Sequence, residues 1–323
     1  MIPATVDAAV KRFLEHKRSL GRKYQSEENE LRLFLRFLEQ RGRMALDEIT
    51  PALLEDFLAS RPRSRPRSFN HLRGVVACML DWAVSQQLLE ESPLRTRRRR
   101  ATTWRIPFVF DTVQARQLLD AAAGLPDHPR ARQRGPTYRC IFAVCYGLGL
   151  RVGEACGLRL GDVNQEHDIL SVRGGKFGKS RLVPFGPRIG ELLSQQVRHR
   201  QKTSQTKDPC APLFTLNGCT PVRPGTVSRT FRHLASRLDL PLGDGVSPPR
   251  LHDLRHSFAV GRLLRWYREG IDPSTRLHQL STFLGHVDPS STAVYLKMTP
   301  ELLEEANCRF ELFAQPAWEE VPS

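Results

Sequence analysis

Acidic side chains are in short supply in this sequence: 34 Asp and Glu stand against 49 Lys and Arg, which leaves a formal charge of +15 over 323 residues. A deficit of that size argues against a partner that is itself basic and points to a polyanion, above all nucleic acid, rather than to a merely basic soluble surface. Long apolar runs are missing as well. The longest, CIFAVCYGLGL at 140–150, has 11 residues, where a membrane span needs about 20; it reads as a buried helix, and no membrane partner is expected. No basic-then-apolar leader follows Met1, so the expected location is cytoplasmic. The seven cysteines (Cys78, Cys140, Cys145, Cys156, Cys210, Cys219 and Cys308) are odd in number, irregular in spacing and without a C-x-x-C pair. They fit reduced thiols, several of them core fillers, and not a disulfide framework.

What is present is mostly helical periodicity. In the first hundred residues, apolar side chains recur on one helical face four times: Val6 to Leu14, Leu31 to Leu38, Leu53 to Leu58 behind a Thr50-Pro51 start, and Val75 to Ala83. Four such helices make a small bundle. RPRSRPRS (61–68) interrupts the third and fourth; its prolines exclude helix, and Arg61, Arg63, Arg65 and Arg67 read equally as a phosphate-contacting loop or a solvated linker. RTRRRRATTWR (95–105), with Arg97, Arg98, Arg99 and Arg100 at its centre, has no structural period and reads as an interdomain linker. The expected organisation is a helical DNA-binding domain at 1–94, the linker at 95–105 and a second domain at 106–323, with the two arginine-rich connectors clamping a duplex.

The second domain is again mainly α. Helices are expected after an Asp111 or Thr112 cap, through 140–150, from 151, and over 187–201, 224–238, 251–268, 274–284, 291–297 and 300–314. The exception is DILSVRGGKFGKSRLVPF (168–185), which reads as two strands, Ile169–Val172 and Arg181–Val183, joined by a Gly-rich, Lys-bearing loop.

Several residue pairs in this half could carry chemistry. In LHDLRHSFA (251–259), His252 and Arg255 are three apart, so on a helix they share a face and suit a phosphate that also needs a proton moved; an isolated H-x-x-R is also common as two unrelated surface residues. His252 and His256 have the i, i+4 spacing of a zinc helix. Asp253 stands where that motif has Glu, Arg255 would set a cation beside the metal, and no third ligand is in view, so no metal is expected. Arg151 opens a helix, where anions are favoured, and can pair with Glu154, which would orient it toward a ligand. Lys176 sits in the hairpin turn GGKFGK, with Lys179 as its competitor. In LSTFLGHVDPSSTAVYL (280–296), His286 follows a helix stop, and Tyr295, one of only five tyrosines, stands nine residues on in a Ser/Thr run.

In order along the chain, GLRVGEACGLRLGDV, GGKFGKSRLVPF, LHDLRHSFA and FLGHVDPSSTAVYL resemble the tyrosine recombinase, or phage integrase, family over about 106–300. The N-terminal bundle resembles that family's core-binding, SAM-like domain. The departures are Leu148, where Thr is common, and Phe177, where a small or polar residue is usual. The resemblance implies a catalytic set of Arg151, Lys176, His252, Arg255, His286 and Tyr295. Tyr295 would attack a DNA phosphodiester and hold the strand as a phosphotyrosine, needing neither metal, ATP nor other cofactor. Arg151 and Arg255 would clamp the non-bridging oxygens, with His286 donating to the same group. His252 would take the Tyr295 proton or hold an oxygen, and Lys176 would protonate the leaving 5′-oxygen. It also implies a tetramer on paired sites of double-stranded DNA, with the 300–314 helix docking on a neighbour or packing on its own domain. A type IB topoisomerase and a non-catalytic DNA-binding protein remain as rival readings.

Overall fold

The computed structural model describes residues 5–100, 106–174, 180–204, 208–286, 288, 290–297, 302–305 and 307. The chain divides into two compact units, Met1–Trp104 and Arg105–Ser323.

Among the described residues, four α-helices build the first unit: α1 (Val6–Ser19), α2 (Gln25–Glu39), α3 (Pro51–Ala59) and α4 (Pro66–Ser85). Thr5 and Thr50 cap α1 and α3, each hydroxyl accepting from the backbone N–H three residues on. Each helix turns one apolar stripe inward. Phe13, Leu31, Phe34, Phe57, Leu72 and Met79 share one core, in which the Phe34 and Phe57 rings lie 4.9 Å apart. Each such side chain contributes about 1.5–3 kcal/mol, so the stripes rather than helix propensity hold the bundle.

Two expectations need correction here. Residues 66–68 are helical, because Pro66 is the first residue of α4, where its missing N–H would have had no helical partner and its φ is already suitable. The stretch expected as a free linker lies in part against α4. Leu94 is buried in the bundle core. Asn70 exchanges two hydrogen bonds with the Arg99 backbone (2.7 and 2.8 Å), and Arg73 Nε donates to Thr96 O at 2.9 Å. Residues 101–105 lie outside the described residues.

In the second unit α6 (Arg134–Gly147) is the hub. Tyr138, Ile141, Phe142, Val144 and Cys145 are buried on it, and it packs against α5 (Thr112–Ala123), α8 (Pro187–Ser204) and α10 (Asp253–Arg268). Asp111 is the cap of α5, in a reciprocal capping box with Gln114. Cys140, Cys145 and Cys156 are buried free thiols; burial pushes Cys140 and Cys156 up to about 12 and Cys145 higher still. That makes them packing residues rather than nucleophiles.

The strands β1 (Val163–Asn164), β2 (Ile169–Val172) and β3 (Arg181–Pro184) form one antiparallel sheet in the order β1-β2-β3. β1 is too short to announce itself by alternation. Leu170 faces Val183 and Val172 faces Arg181. Leu182 is 64% exposed and Val183 buried, so the strand period of two puts Arg181 on the inward face.

The short α7 (Val152–Cys156) and α9 (Pro224–Ala235) complete the hub. A separate apolar cluster joins α10 to α11 (Pro273–Leu284) and to the turn Val294–Lys297 that follows α12 (Ser290–Ala293). Of the expected last helix, residues 302–305 and 307 are described and helical. Leu302 is buried in this chain's own cluster, Glu305 reaches Arg268 at 3.5 Å, and Leu303 is exposed. Among the described residues no helix is long and apolar enough to cross a membrane.

Candidate active site

The carboxylate of Glu154 organises the site. It lies in α7, and its side chain is only 5% exposed. Oε1 accepts from Arg151 Nη1 at 2.7 Å and from Arg181 Nη1 at 3.1 Å. Oε2 accepts from Arg181 Nη2 at 2.9 Å and from the Arg151 backbone N–H at 3.0 Å. Arg255 Nη1 stands 4.0 Å away. Burial alone would raise this carboxyl; the hydrogen bonds from Arg181 and Arg151 overcome it and hold Glu154 at about 2. Three guanidiniums and one carboxylate leave the group two positive charges in excess.

The other side of the arginine group is the C-terminal end of α11. Phe283 O accepts from Arg181 Nε (2.8 Å), Leu284 O from Arg255 Nη2 (2.8 Å) and Gly285 O from Arg151 Nη2 (3.1 Å). Three consecutive carbonyls that have no partner within the helix are thus each held by a cation, which the helix dipole also favours. Two glycines make the approach possible. Gly285 ends α11 at φ +68°, and a Cβ there would fall 2.7 Å from Arg181 Nη1. Gly149, at φ +61°, would push a Cβ to 2.7 Å from the Phe258 ring. Arg255 donates a further bond to Gly149 O at 2.6 Å.

Arg255 differs from expectation in its setting. It does not sit with His252 on a solvent face but is 1% exposed, packed inward from α10, while His252, the residue before the helix, is exposed. Burial, then the charge of Arg151, lowers Arg255 to about 10, so it stays protonated near neutrality. Among the described residues its Nε–H has no hydrogen-bond partner.

Tyr295 is 3% exposed, in the turn after α12. Its ring stacks on His286 (6.3 Å between centroids, 15° between planes), and His286 Nδ1 is hydrogen-bonded to Thr292 Oγ1 at 2.8 Å. Burial raises the Tyr295 phenol, with Arg255 and Arg151 pulling the other way. The imidazole that touches its hydroxyl is that of His256, whose Nδ1 is 3.1 Å from Tyr295 Oη. Three histidines are held neutral here, by lost hydration first and neighbouring charges second: His252 and His286 at about 4, His256 at about 3.

The structure therefore gathers Arg151, Glu154, His252, Arg255, His286 and Tyr295. Lys176 and its competitor Lys179 lie outside the described residues. Sequence reasoning missed Arg181 and His256. The alternation Arg181/Leu182/Val183 was enough to turn Arg181 inward, and His256 was weighed only as a metal ligand. The arginines of the first unit have another character. Arg65, Arg67, Arg97, Arg98 and Arg100 are exposed. Arg63 pairs with Glu30 at 3.0 Å. Arg99 lies 3.8 Å over the Phe69 ring and donates to Arg63 O, and Arg61 is half-buried.

Comparison with known proteins bears on this arrangement. Residues 109–301 match the model of the phage integrase family. The Sinorhizobium fredii protein y4rB, named for an integrase or recombinase, is 33% identical over 313 residues, 95% of this chain and 98% of that one. Tyrosine recombinase XerD of Ralstonia nicotianae is 29% identical over 280 residues, 85% and 83% of the two chains. Among solved structures, a lambda integrase dimer bound to a COC′ core site superposes with a TM-score of 0.63 at 19% identity, covering 92% of this chain and 78% of that one.

Proposed function

The chain belongs to the phage integrase family, and from that premise we propose that it is a tyrosine recombinase that cleaves and rejoins DNA strands through a 3′-phosphotyrosyl intermediate, using neither metal nor ATP. The observation that carries the reading is the fixed group of Arg151, Arg181 and Arg255 around Glu154, with the Tyr295 hydroxyl in the same site. A scissile phosphate is an anion that gains charge as the phenol oxygen attacks. Donors already locked in place stabilise that gain without reorganising.

In the proposed reaction Tyr295 Oη bonds to phosphorus and the bond to the 5′-oxygen breaks. Arg151 and Arg255 hold the non-bridging oxygens, the unspent Nε–H of Arg255 adding a donor. His286, fixed by Thr292, donates to the same phosphoryl group, and exposed His252 reaches an oxygen from the solvent side. Lys176 supplies the proton to the 5′-oxygen. The ester keeps the bond energy, so a 5′-hydroxyl from a second strand reverses the step. The bundle at 1–94 and the segment 95–105 grip the duplex through Arg61, Arg63, Arg65, Arg67 and Arg97 to Arg100. Residues 106–323 do the chemistry, and copies assemble as a tetramer on paired sites, in keeping with the DNA-bound dimer of the fold's relative.

A nicked suicide duplex tests this. Wild-type protein is expected to form an SDS-resistant, protease-sensitive DNA adduct. Tyr295→Phe is expected to bind the same duplex and form none. An adduct with Tyr295→Phe would remove the nucleophile from the proposal. Relaxation of supercoils by a monomer without site preference would replace recombination with topoisomerase action.

A further inference from the structure

Among the described residues, the broad cavity lined by Arg130, Arg132, Asp208 and Asn217 holds no buried side-chain polar atom that lacks a partner. The unexplained chemistry lies at Tyr295. Its hydroxyl is buried and must lose a proton as it attacks, and the ring nitrogen in reach is not the expected one. From this geometry we infer that His256 is the proton acceptor for Tyr295, with Asp253 as a positioning residue that keeps His256 Nδ1 bare. The inference rests on the recombinase reading above and assigns a step within it.

Three observations support the assignment. His256 Nδ1 is 3.1 Å from Tyr295 Oη, within hydrogen-bond reach, and the rings are 5.4 Å apart at 59°. Asp253 Oδ1, on a residue with no exposed surface, stands 3.9 Å from His256 Nε2. A carboxylate on that side favours the tautomer with its proton at Nε2, leaving Nδ1 to accept. The Asp253 carboxylate is itself fixed by Arg250, whose backbone N–H and Nη2 donate to it at 2.8 and 3.0 Å. Lastly, His252 meets His256 edge to face with centroids 4.7 Å apart, and among the described residues the imidazole hydrogen-bonded to the phenol is that of His256.

The step balances. The phenol O–H breaks as the O–P bond forms, its proton passes to Nδ1 and the imidazole becomes imidazolium; the bond from phosphorus to the 5′-oxygen breaks, and that oxygen takes the proton proposed above to come from Lys176. On rejoining, the imidazolium returns its proton to the phenolate as it leaves phosphorus. The groups facing His256 are His252, Asp253, Arg255 and His286, with Arg250 behind Asp253 and Tyr295 in front. Burial first, and the neighbouring charges second, keep the ring neutral and ready to accept. The arriving phosphate brings the negative charge that raises its basicity during attack.

Single-turnover adduct formation on a suicide duplex, across pH, tests the inference. His256→Asn is expected to bind DNA as wild type and form adduct about 10²- to 10⁴-fold more slowly. The acid-side fall of the wild-type profile should be absent from it, and His256→Ala should recover part of its rate when imidazole is added. Asp253→Asn should move the acid-side fall to lower pH. A His256→Asn rate within about threefold of wild type overturns the inference, given that acid–base catalysis is worth far more. So does a slow His256→Asn that keeps the acid-side fall with no imidazole rescue of His256→Ala; His256 would then only hold the ring. An unmoved profile in Asp253→Asn overturns the part given to Asp253. Absence of any adduct with wild-type protein, or an adduct with Tyr295→Phe, would instead sink the recombinase reading itself.

Discussion

Two groups of arginines, one in each unit, are used in opposite ways. In the first, Arg65, Arg67, Arg97, Arg98 and Arg100 stand in solvent, where a charge adds attraction for a polyanion and little to the fold. In the second, Arg151, Arg181 and Arg255 are spent on Glu154 and on the carbonyls of α11, and these partners offset the desolvation of such charges. Composition counts both sets alike. The difference is one of solvation: an exposed cation suits affinity, whereas a locked one suits a charge that exists only during reaction.

Lys176 sharpens the comparison, because in the proposal it is neither kind of cation but a proton donor. Lys176→Ala is expected to slow cleavage of ordinary DNA about 10²- to 10⁴-fold and to recover most of that rate when the bridging 5′-oxygen is sulfur, a leaving group that needs no acid. Arg151→Ala and Arg255→Ala should gain nothing from sulfur, since they act on the non-bridging oxygens. Rescue of Lys179→Ala instead would move the role to that residue.

Next in size is Arg255→Ala. Adduct formation should fall about 10²- to 10³-fold, as when one donor to a developing oxyanion is removed. Stability in urea should fall too, because Gly149 O and Leu284 O lose a buried donor, at about 1–3 kcal/mol each. A slow but fully stable variant would break the claim that locked arginines do both jobs.

Acid should attack the second unit in two windows. The histidines at 252, 256 and 286 have folded values of about 3–4, below the ordinary 6.5. The unfolded chain therefore binds protons first, and stability declines as pH falls from about 6.5 toward those values. Glu154 is depressed from 4.5 to about 2. Its contribution is present above 4.5 and is lost as pH falls through that range, about 3 kcal/mol in all at roughly 1.4 kcal/mol per pH unit. Urea titrations at stepped pH on wild type and Glu154→Gln would check this, the variant losing the lower window.

The smallest expected effects are those of the exposed set. Alanine at Arg97, Arg98 or Arg100 should shift folding stability by no more than about 0.5 kcal/mol. Each lost phosphate contact should reduce the slope of log K against log salt by about 0.9. A binding titration at several salt concentrations reads it, and an unchanged slope would mean that the residue does not face DNA.

Much of this was legible in the sequence, for definite reasons. The bundle helices show because each buries one stripe, and the start of α5 shows as a cap at Asp111 or Thr112, which the capping box with Gln114 settles on Asp111. Arg151, His252, Arg255, His286 and Tyr295 carry a motif order that survives without coordinates. Less visible was whatever depends on two distant segments meeting. Nothing local says that Asn70 will hold the Arg99 backbone, or that Arg255 will point inward to the carbonyls of residues 149 and 284. His256 was in plain view at the zinc spacing, yet only the position of Tyr295 shows what its ring nitrogen touches. Pro66 misled because a proline excludes helix only from the interior.

The arginine-held end of α11 has a genetic consequence. Positions 151, 181 and 255 each close a different carbonyl of one helix, so inactive alleles at these codons would come in two kinds, those that spoil the reaction and those that spoil the protein's abundance. Activity screens alone would merge them. Suppressors of the second kind should arise among residues that steady α11 and would restore protein level and activity together.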